Sequence, residues 1–564
     1  MKFFIPSQTL LASKRNYQLL AKSHPKFIRT LKLDSCNYDE ISIGQEARKC
    51  LITLSKIKRK TKHIVNFNAS KFLSLAEIPN TKLKETIKRF HKIQGLSPPY
   101  HYRYEKTLLF YIKWLRLCPN LRSFQIISSF ISKGNLFSKK FIKIKQRFLK
   151  FLSTSRLATF SCFEMNESLI VPFQSYPKSL QKIYVGFIRQ DIPYLQQDWE
   201  QFPRKPFSHI KNLQFLEISR PVPPRLLQGL LSTISQPKNM THLALSISSS
   251  DQEGHLAKLQ ETLSLFTSLQ SLNIGSSFSP FPFQALQPFQ ETPLTSIQLK
   301  AVIQDSSELE IIGTFLHKLG QLKILKLHLE DQANKPVPLG YQSLFQNISR
   351  LIHLETIEFN IDSESIADSQ VLLEGSLQAF AQSLEQLPRI KNVSLRHIKG
   401  IYPPEFGALA SALEKVGKGL RTLKISLADN KLRLEDLLIF KQALQNTTNL
   451  ETLYLENFAI SDDEFVKKFP ESINHLKSLK DVKILHLVNN ITQNSYLLLI
   501  KGILSIRGLE SLNCRDTTIF SEYGYQYGAI DLNEILQENP KLKTFIRPHY
   551  LKSFFENTDS MWKW

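Results

Sequence analysis

The densest chemistry in this 564-residue sequence is a run of cations. Residues 137–152 read FSKKFIKIKQRFLKFL, six basic residues among eight apolar ones with no acid between them. At about 100° per residue, Phe137, Phe141, Ile144, Phe148, Phe151 and Leu152 gather on one side of a helix. Lys139, Lys140, Lys143, Arg147 and Lys150 gather opposite, and Lys145 alone falls toward the apolar arc. Free in water, such a helix would seek a membrane surface or a partner groove, and its cations would suit phosphates. Inside a fold its apolar side is used against neighbouring elements, and the basic patch is left to face an anion. The surrounding charge points the same way. Of 73 Lys+Arg and 49 Asp+Glu, residues 1–160 hold 33 and 7, which leaves 40 basic against 42 acidic residues beyond. The net charge of +24 therefore belongs to the first part of the chain, where nucleic acid or an anionic membrane surface is one partner class.

Other reactive patterns are missing. The sequence has no P-loop, no dinucleotide fingerprint, no HExxH and no GxSxG. Cys36, Cys50, Cys118, Cys162 and Cys514 are scattered, without CxxC or a Cys/His cluster, which speaks against a zinc site or a disulfide framework. The expectation is a non-catalytic protein with no catalytic residues, no cofactor and no metal. The opening MKFFIPSQTLLASKR has too short an apolar run for a signal peptide, and no stretch approaches ~18 uncharged apolar residues. No transmembrane segment, a reducing compartment and a cytoplasmic or nuclear location are expected.

The elements that must position these residues follow from a repeat. Leucine, two residues, leucine, one residue, leucine recurs down the chain. NLQFLEIS (Leu213, Leu216, Ile218), SLQSLNIG (Leu269, Leu272, Ile274) and QLKILKLH (Leu322, Leu325, Leu327) are clear copies. HLETIEFN (Leu354), RIKNVSLR (Ile390), GLRTLKIS (Leu420), NLETLYLE (Leu450), DVKILHLV (Val482, Leu485, Leu487) and GLESLNCR (Leu509) continue it. NMTHLALS and PLTSIQLK fill gaps; NLRSFQII, RLATFSCF, SLQKIYVG and FIRTLKLDSC extend the array forward. The middle of each phrase suits a short strand with alternate side chains inward. Between phrases, LLQGLLSTI, LAKLQETLSLF, LEIIGTFLHKL, LQAFAQSLEQL, FGALASALEKV and LEDLLIFKQALQN have helical spacing. One strand and one helix cannot bury their own apolar faces, so such units must stack. At 564 residues the chain also exceeds the ~250–300 at which a single core stops growing.

In these phrases the chain resembles the leucine-rich repeat family, in its ribonuclease-inhibitor-like form. The resemblance implies an α/β leucine-rich-repeat solenoid: a curved horseshoe with parallel strands on the concave face and helices on the convex face. The position three after the last leucine departs from the family's Asn or Cys, with Pro221, Val302, Ile398 and others there, which implies an irregular spine. Four segments are expected: 1–27, an N-terminal capping helix or F-box remnant; 28–200, basic degenerate repeats; 201–548, regular repeats; 549–564, a C-terminal cap or tail. No Gly/Ser-rich linker divides them, so one continuous structure is expected. The segment LLASKRNYQLLAKSHPKFIRTLKL, with Arg15, Tyr17, Leu19, Leu20, Phe27 and Leu31, is similar to the later part of an F-box, although the family's opening Leu-Pro helix is absent. That similarity implies a substrate-recognition subunit joined to a ubiquitin-ligase adaptor; the alternative is a cap that shields the first repeat.

In the repeat family the concave strand face is the usual partner surface. Its central column reads Glu217, Ala244, Asn273, Gln298, Lys326, Glu358, Ser394, Lys424, Tyr454, His486 and Asn513. The next column adds His328, Asn360, Arg396, Glu456 and Arg515. The candidate partner-binding residues are Lys326, His328, Glu358, Arg396, Lys424, Tyr454, His486 and Arg515, because Tyr and Arg concentrate at interface centres. The function these readings imply is a protein-interaction scaffold, with an anion binder acting through the basic N-terminal third as the alternative.

Overall fold

Each leucine phrase within the described residues becomes a strand. A computed structural model describes residues 30–32, 66–68, 95–97, 121–127, 139–165, 176–187, 207–219, 221–248, 253–276, 283–331, 338–362, 375–398, 403–427, 434–456, 469–485, 493–513, 542 and 544–546. The chain divides into two units, Met1–Leu269 and Gln270–Trp564. The division falls inside the phrase SLQSLNIG, at a point that neither composition nor a linker marks.

The first unit contains β1 (Thr30–Lys32), β2 (Asn66–Asn68), β3 (Gly95–Ser97), β4 (Ser123–Ile127), β5 (Thr159–Met165), β6 (Lys182–Phe187), β7 (Phe215–Ile218) and β8 (His242–Ile247). Each pairs in parallel with the next. Its described helices are α1 (Lys139–Thr154), α2 (Pro224–Leu231) and α3 (Glu253–Leu263).

The second unit contains β9 (Ser271–Ser276), β10 (Ser296–Ile303), β11 (Ile324–Asp331), β12 (Thr356–Asp362), β13 (Asn392–Ile398), β14 (Thr422–Leu427), β15 (Thr452–Glu456), β16 (Asp481–Leu485), β17 (Ser511–Asn513) and β18 (Thr544–Ile546). These too pair in parallel, each with its successor. Its described α-helices are α4 (Ser306–His317), α5 (Pro338–Ile348), α6 (Ser376–Glu385), α7 (Pro403–Val416), α8 (Leu434–Gln445) and α9 (Gln493–Leu504). A 3-10 helix over Phe283–Glu291 stands where Pro288 removes an amide that an α-helix would need.

Parallel strands need a crossover between them, and the intervening helices supply it. The phrase leucines form the floor of this arrangement. Leu272 and Ile274, Ile297 and Leu299, Leu325 and Leu327, Ile357 and Phe359, Val393 and Leu395, and Leu423 and Ile425 are all buried. Full burial of one such side chain contributes roughly 1.5–3 kcal/mol. Helix side chains close the core from one side: Tyr341 and Phe345 of α5 and Phe380 of α6 meet Phe359 of β12 with ring centroids 5.1–6.2 Å apart.

Backbone hydrogen bonds fix the register. The carbonyl of the residue just before each strand accepts two successive amides from the following repeat. Thr295 O takes Lys323 N and Ile324 N, Lys323 O takes Glu355 N and Thr356 N, and Glu355 O takes Lys391 N and Asn392 N. The pattern continues through Lys391, Arg421, Glu451 and Lys480. It occurs in the first unit at Arg122, Ala158, Gln181 and Gln214.

Local signals also hold. The sequence DSSE opens α4, where the Asp305 carboxylate accepts from Glu308 N at 3.2 Å and Glu308 reaches back to Gln304 N at 2.7 Å. This reciprocal capping satisfies two amides that the first helical turn leaves open. At the start of α6, Gly375 has φ of +80°, a conformation L side chains rarely adopt.

The structure corrects the sequence reading in particular places. The phrase DVKILHLV was set three residues late. Val482 pairs with Leu453 and Leu512, so the phrase begins at the buried Leu479, and Leu485 lies outside the inward set. Alternation around Val482 fits either frame, but only one places Val482 beside Leu453 in the sheet. Helices α5 and α9 and strands β3 and β18 were not foreseen. The short strand β2 ends the degenerate stretch KIKRKTKHIVNF. Irregular register does occur, between Cys162 and Met165 and between Leu395 and Ile398.

Candidate binding surface

The outward residues of β11–β16 form one line. Lys326, Glu358, Ser394, Lys424, Tyr454 and Lys483 are successive register partners, continued by Gln298 and Asn273 on one side and Asn513 on the other. Each alternates with an inward apolar residue, because successive side chains leave a strand on opposite faces. The candidates Lys326, Glu358, Lys424 and Tyr454 are thus brought together. Two residues farther along, His328, Asn360 and Arg396 form a second line across β11–β13. Lys483 takes the position assigned to His486, a consequence of the three-residue shift in frame. His486 and Arg515 lie outside the described residues.

The polar groups of this surface are unevenly satisfied. Lys326 Nζ lies 3.2 Å from Glu358 Oε2. Arg396 Nε approaches Glu358 Oε1 only to 3.8 Å, beyond hydrogen-bonding reach, and is itself buried without a hydrogen-bond partner. The Asn360 amide bonds the His328 ring, yet its Oδ1 is buried without a partner. Ser394 is 7% exposed and Ser426 0%, and neither hydroxyl has a partner. Such groups are uncommon in native proteins and each carries a desolvation penalty.

Lys424 stands at the centre. It makes no ion pair among the described residues. Burial, then Arg396, pushes its ammonium below the usual lysine range; Glu358 opposes this, and Lys483 and Lys326 add to it. On the next strand the Tyr454 hydroxyl donates to Glu456 at 2.7 Å. Burial pushes that phenol far above its ordinary range, followed by the hydrogen bond to Glu456 and its charge, and Arg396 offsets part of the rise.

At the strand starts a separate ladder runs Lys323, Glu355, Lys391, Arg421, Glu451 and Lys480. Lys391 meets Glu355 at 2.7 Å, and Glu451 meets Lys480 at 2.9 Å and Arg421 at 4.0 Å. These cations hold Glu355 and Glu451 below the usual carboxylate range. The ladder has paired its own charges; on the central line Lys424 is left without an ion pair among the described residues.

The basic patch lies on α1. Lys139 and Lys140 open the helix, and Lys143, Arg147 and Lys150 are exposed along it. Ile144, Phe148 and Leu152, four residues apart, are buried. That is the division the sequence pattern requires. Among the described residues no group of three or more His, Cys, Asp or Glu is placed to hold a metal ion. No described helix is long and apolar enough to cross a membrane.

Sequence reasoning missed a third cluster, on β6–β8. Tyr184 and Phe215 lie 4.6 Å apart between ring centroids, and Phe215 stacks on His242 at 5.7 Å. The signal was present in SLQKIYVG, NLQFLEIS and NMTHLALS, whose position before the second leucine reads Lys182, Phe215 and His242. Lys, Phe and His share no residue type, so the column carries no repeat of its own.

Comparison of the chain with models of known protein families finds no match. Comparison with curated proteins finds no relative either.

Proposed function

We propose that this chain is a leucine-rich-repeat binding protein, a non-catalytic scaffold that holds a protein partner on the outward strand face of its second unit. In the horseshoe form this would be the concave face. The carrying observation is the line Lys326–Glu358–Ser394–Lys424–Tyr454–Lys483, in register across six strands, with an unpaired cation at its centre and buried hydroxyls beside it. Rigid strands preorganise these side chains, which lowers the entropy lost on binding. Arg396 and Tyr454 are the anchors, and the His328–Asn360 pair forms the rim.

The test is affinity capture with the full chain against the double variant Arg396→Glu/Lys424→Glu, read by quantitative mass spectrometry. A partner held through this face is lost from the variant while the melting temperature stays unchanged. Partners retained in full by the variant would remove the assignment. Whether the scaffold serves as a substrate-recognition subunit of an SCF-type ubiquitin ligase turns on residues 1–27, which lie outside the described residues. Loss of adaptor binding on deletion of 1–27 would support that role.

A second reading has its own observation. The apolar side of α1 is already buried while Lys143, Arg147 and Lys150 face outward, which leaves a basic strip for a nucleic acid or an anionic membrane surface. Its affinity would fall steeply with salt, in proportion to the phosphates contacted.

A further inference from the structure

The first unit carries a binding surface of opposite chemistry, and it stands independently of the reading given for the second unit. Across β6, β7 and β8 the register places Lys182, Phe215 and His242 side by side, and Tyr184, Glu217 and Ala244 side by side. All six point outward from the strands whose Ile183, Val185, Leu216 and Ile218 are buried. The three rings form a continuous stack, with Tyr184 and Phe215 tilted by 38° and Phe215 and His242 inclined by 29°. Tyr184 and Phe215 are half-buried and His242 is exposed.

Glu217 sits within this stack, the cross-strand partner of Tyr184 and two residues from Phe215. That spacing along a strand is about 7 Å. It is half-buried and makes no ion pair among the described residues. Burial pushes its carboxyl above the usual range. Burial, and then the same carboxylate, raises the Tyr184 phenol. Lys182 acts instead on His242. There burial first and Lys182 second hold the imidazole below its ordinary range. His242 Nδ1 is further engaged by the Thr241 hydroxyl at 2.8 Å.

An open aromatic face attracts a cation through the ring quadrupole when the charge comes within ~6 Å of the centroid. A carboxylate that has lost part of its hydration is stabilised by the same cation, through a charge-assisted hydrogen bond. Both features converge on one occupant. We propose that Tyr184, Phe215, His242 and Glu217 form a site for a cationic side chain, arginine or lysine, presented by a peptide segment of a protein partner. The cation lies across the Tyr184–Phe215 rings and its N–H groups donate to Glu217, while the stem of the side chain covers His242. Arginine fits better than lysine because its planar guanidinium stacks on a ring and donates in the same pose.

The experiment uses the full chain and two fluorescein-labelled probes, one peptide alternating Arg with Gly and one alternating Glu with Gly, read by fluorescence anisotropy. The Arg peptide should bind and the Glu peptide should not displace it. Glu217→Gln should weaken the Arg peptide by roughly tenfold or more, the scale of a charge-assisted contact. Phe215→Leu should weaken it by roughly threefold to tenfold, the scale of a lost cation–π contact. Glu310→Gln, at an exposed position on α4 of the second unit, should leave it unchanged. A footprint on the unaltered protein gives an independent reading: the Arg peptide should protect His242 from diethyl pyrocarbonate and the Glu peptide should not. Equal binding by Glu217→Gln and the unaltered chain would overturn the proposal, as would an unprotected His242. A loss caused equally by Glu310→Gln would do so too, since it would mean that net charge alone is being read.

Discussion

The outward strand faces of the two units rest on the same framework and differ in what they present. In both, a carbonyl before one strand accepts two amides of the next repeat, and the inward leucine-type residues are buried. On β6–β8 the outward residues are stacked rings around a carboxylate. On β11–β16 they are cations around Ser394 and Ser426. Each face keeps one charge at its centre that its surroundings do not support: Glu217, pushed up by burial, and Lys424, pushed down by burial and neighbouring cations. Elsewhere, charges are held. Glu355 and Glu451 are kept ionised by lysines, and Asp305 by Ser307 and the amide of Glu308. The buried columns therefore supply stability, and the outward columns are free to vary in sign. Charges left without support mark where a partner of complementary sign belongs.

This contrast can be broken most severely in the buried layer. Phe345→Ala removes the ring at the centre of the Tyr341–Phe359–Phe380 cluster and should lower stability by about 3–5 kcal/mol in a denaturant titration. A loss below that of a helix cap would mean that the buried columns do not carry the fold. Asp305→Ala comes next, at about 1 kcal/mol. The Asp305 carboxyl is depressed in the fold, so its contribution is present above the unfolded pKa and disappears as pH falls through the folded one. Melting curves of the variant and the unaltered chain should accordingly converge in acid.

Glu217→Gln should behave in the opposite sense. A raised carboxyl weakens the fold while it is ionised, and the penalty is relieved as pH falls through the folded pKa. The variant should melt at or slightly above the unaltered chain at neutral pH, and the gap should close in acid. A clear loss of stability at pH 7 would show that Glu217 has a partner within the fold. Lys424→Met tests the other face, with a change of about 0.5 kcal/mol or less in the stabilising direction. The smallest effect is expected at the exposed ladder: Lys391→Ala should fall below the cap effect and disappear in about 1 M salt, where the screening length shrinks to ~3 Å.

Much of the fold was legible because burial imposes a period. The phrases from Leu213 to Leu509 could be read without coordinates, and so could α2, α3, α4, α6, α7 and α8, because their apolar residues recur at strand or helix spacing. PLGYQSLFQNI, which becomes α5, opens with proline and carries a glycine, so its aromatic pair Tyr341 and Phe345 did not read as one face. Gly340 is tolerated because the neighbouring helix comes close: a Cβ there would lie 2.9 Å from Ser306 Cα. Most of the central line was equally readable, since Lys326, Glu358, Ser394, Lys424 and Tyr454 follow from the phrase itself. Lys483 was not, because DVKILHLV fits two frames.

The sequence by itself determined the repeating strand and helix, the inward columns and the amphipathic division of α1, since each follows from which residues leave water. Only tertiary structure decided which outward residues are neighbours. Contact across a parallel ladder depends on register between segments some thirty residues apart, and nothing within a single phrase specifies that. Phe215 meets Tyr184 and His242, and Lys424 meets Ser394 and Tyr454, only because successive repeats align their backbone amides.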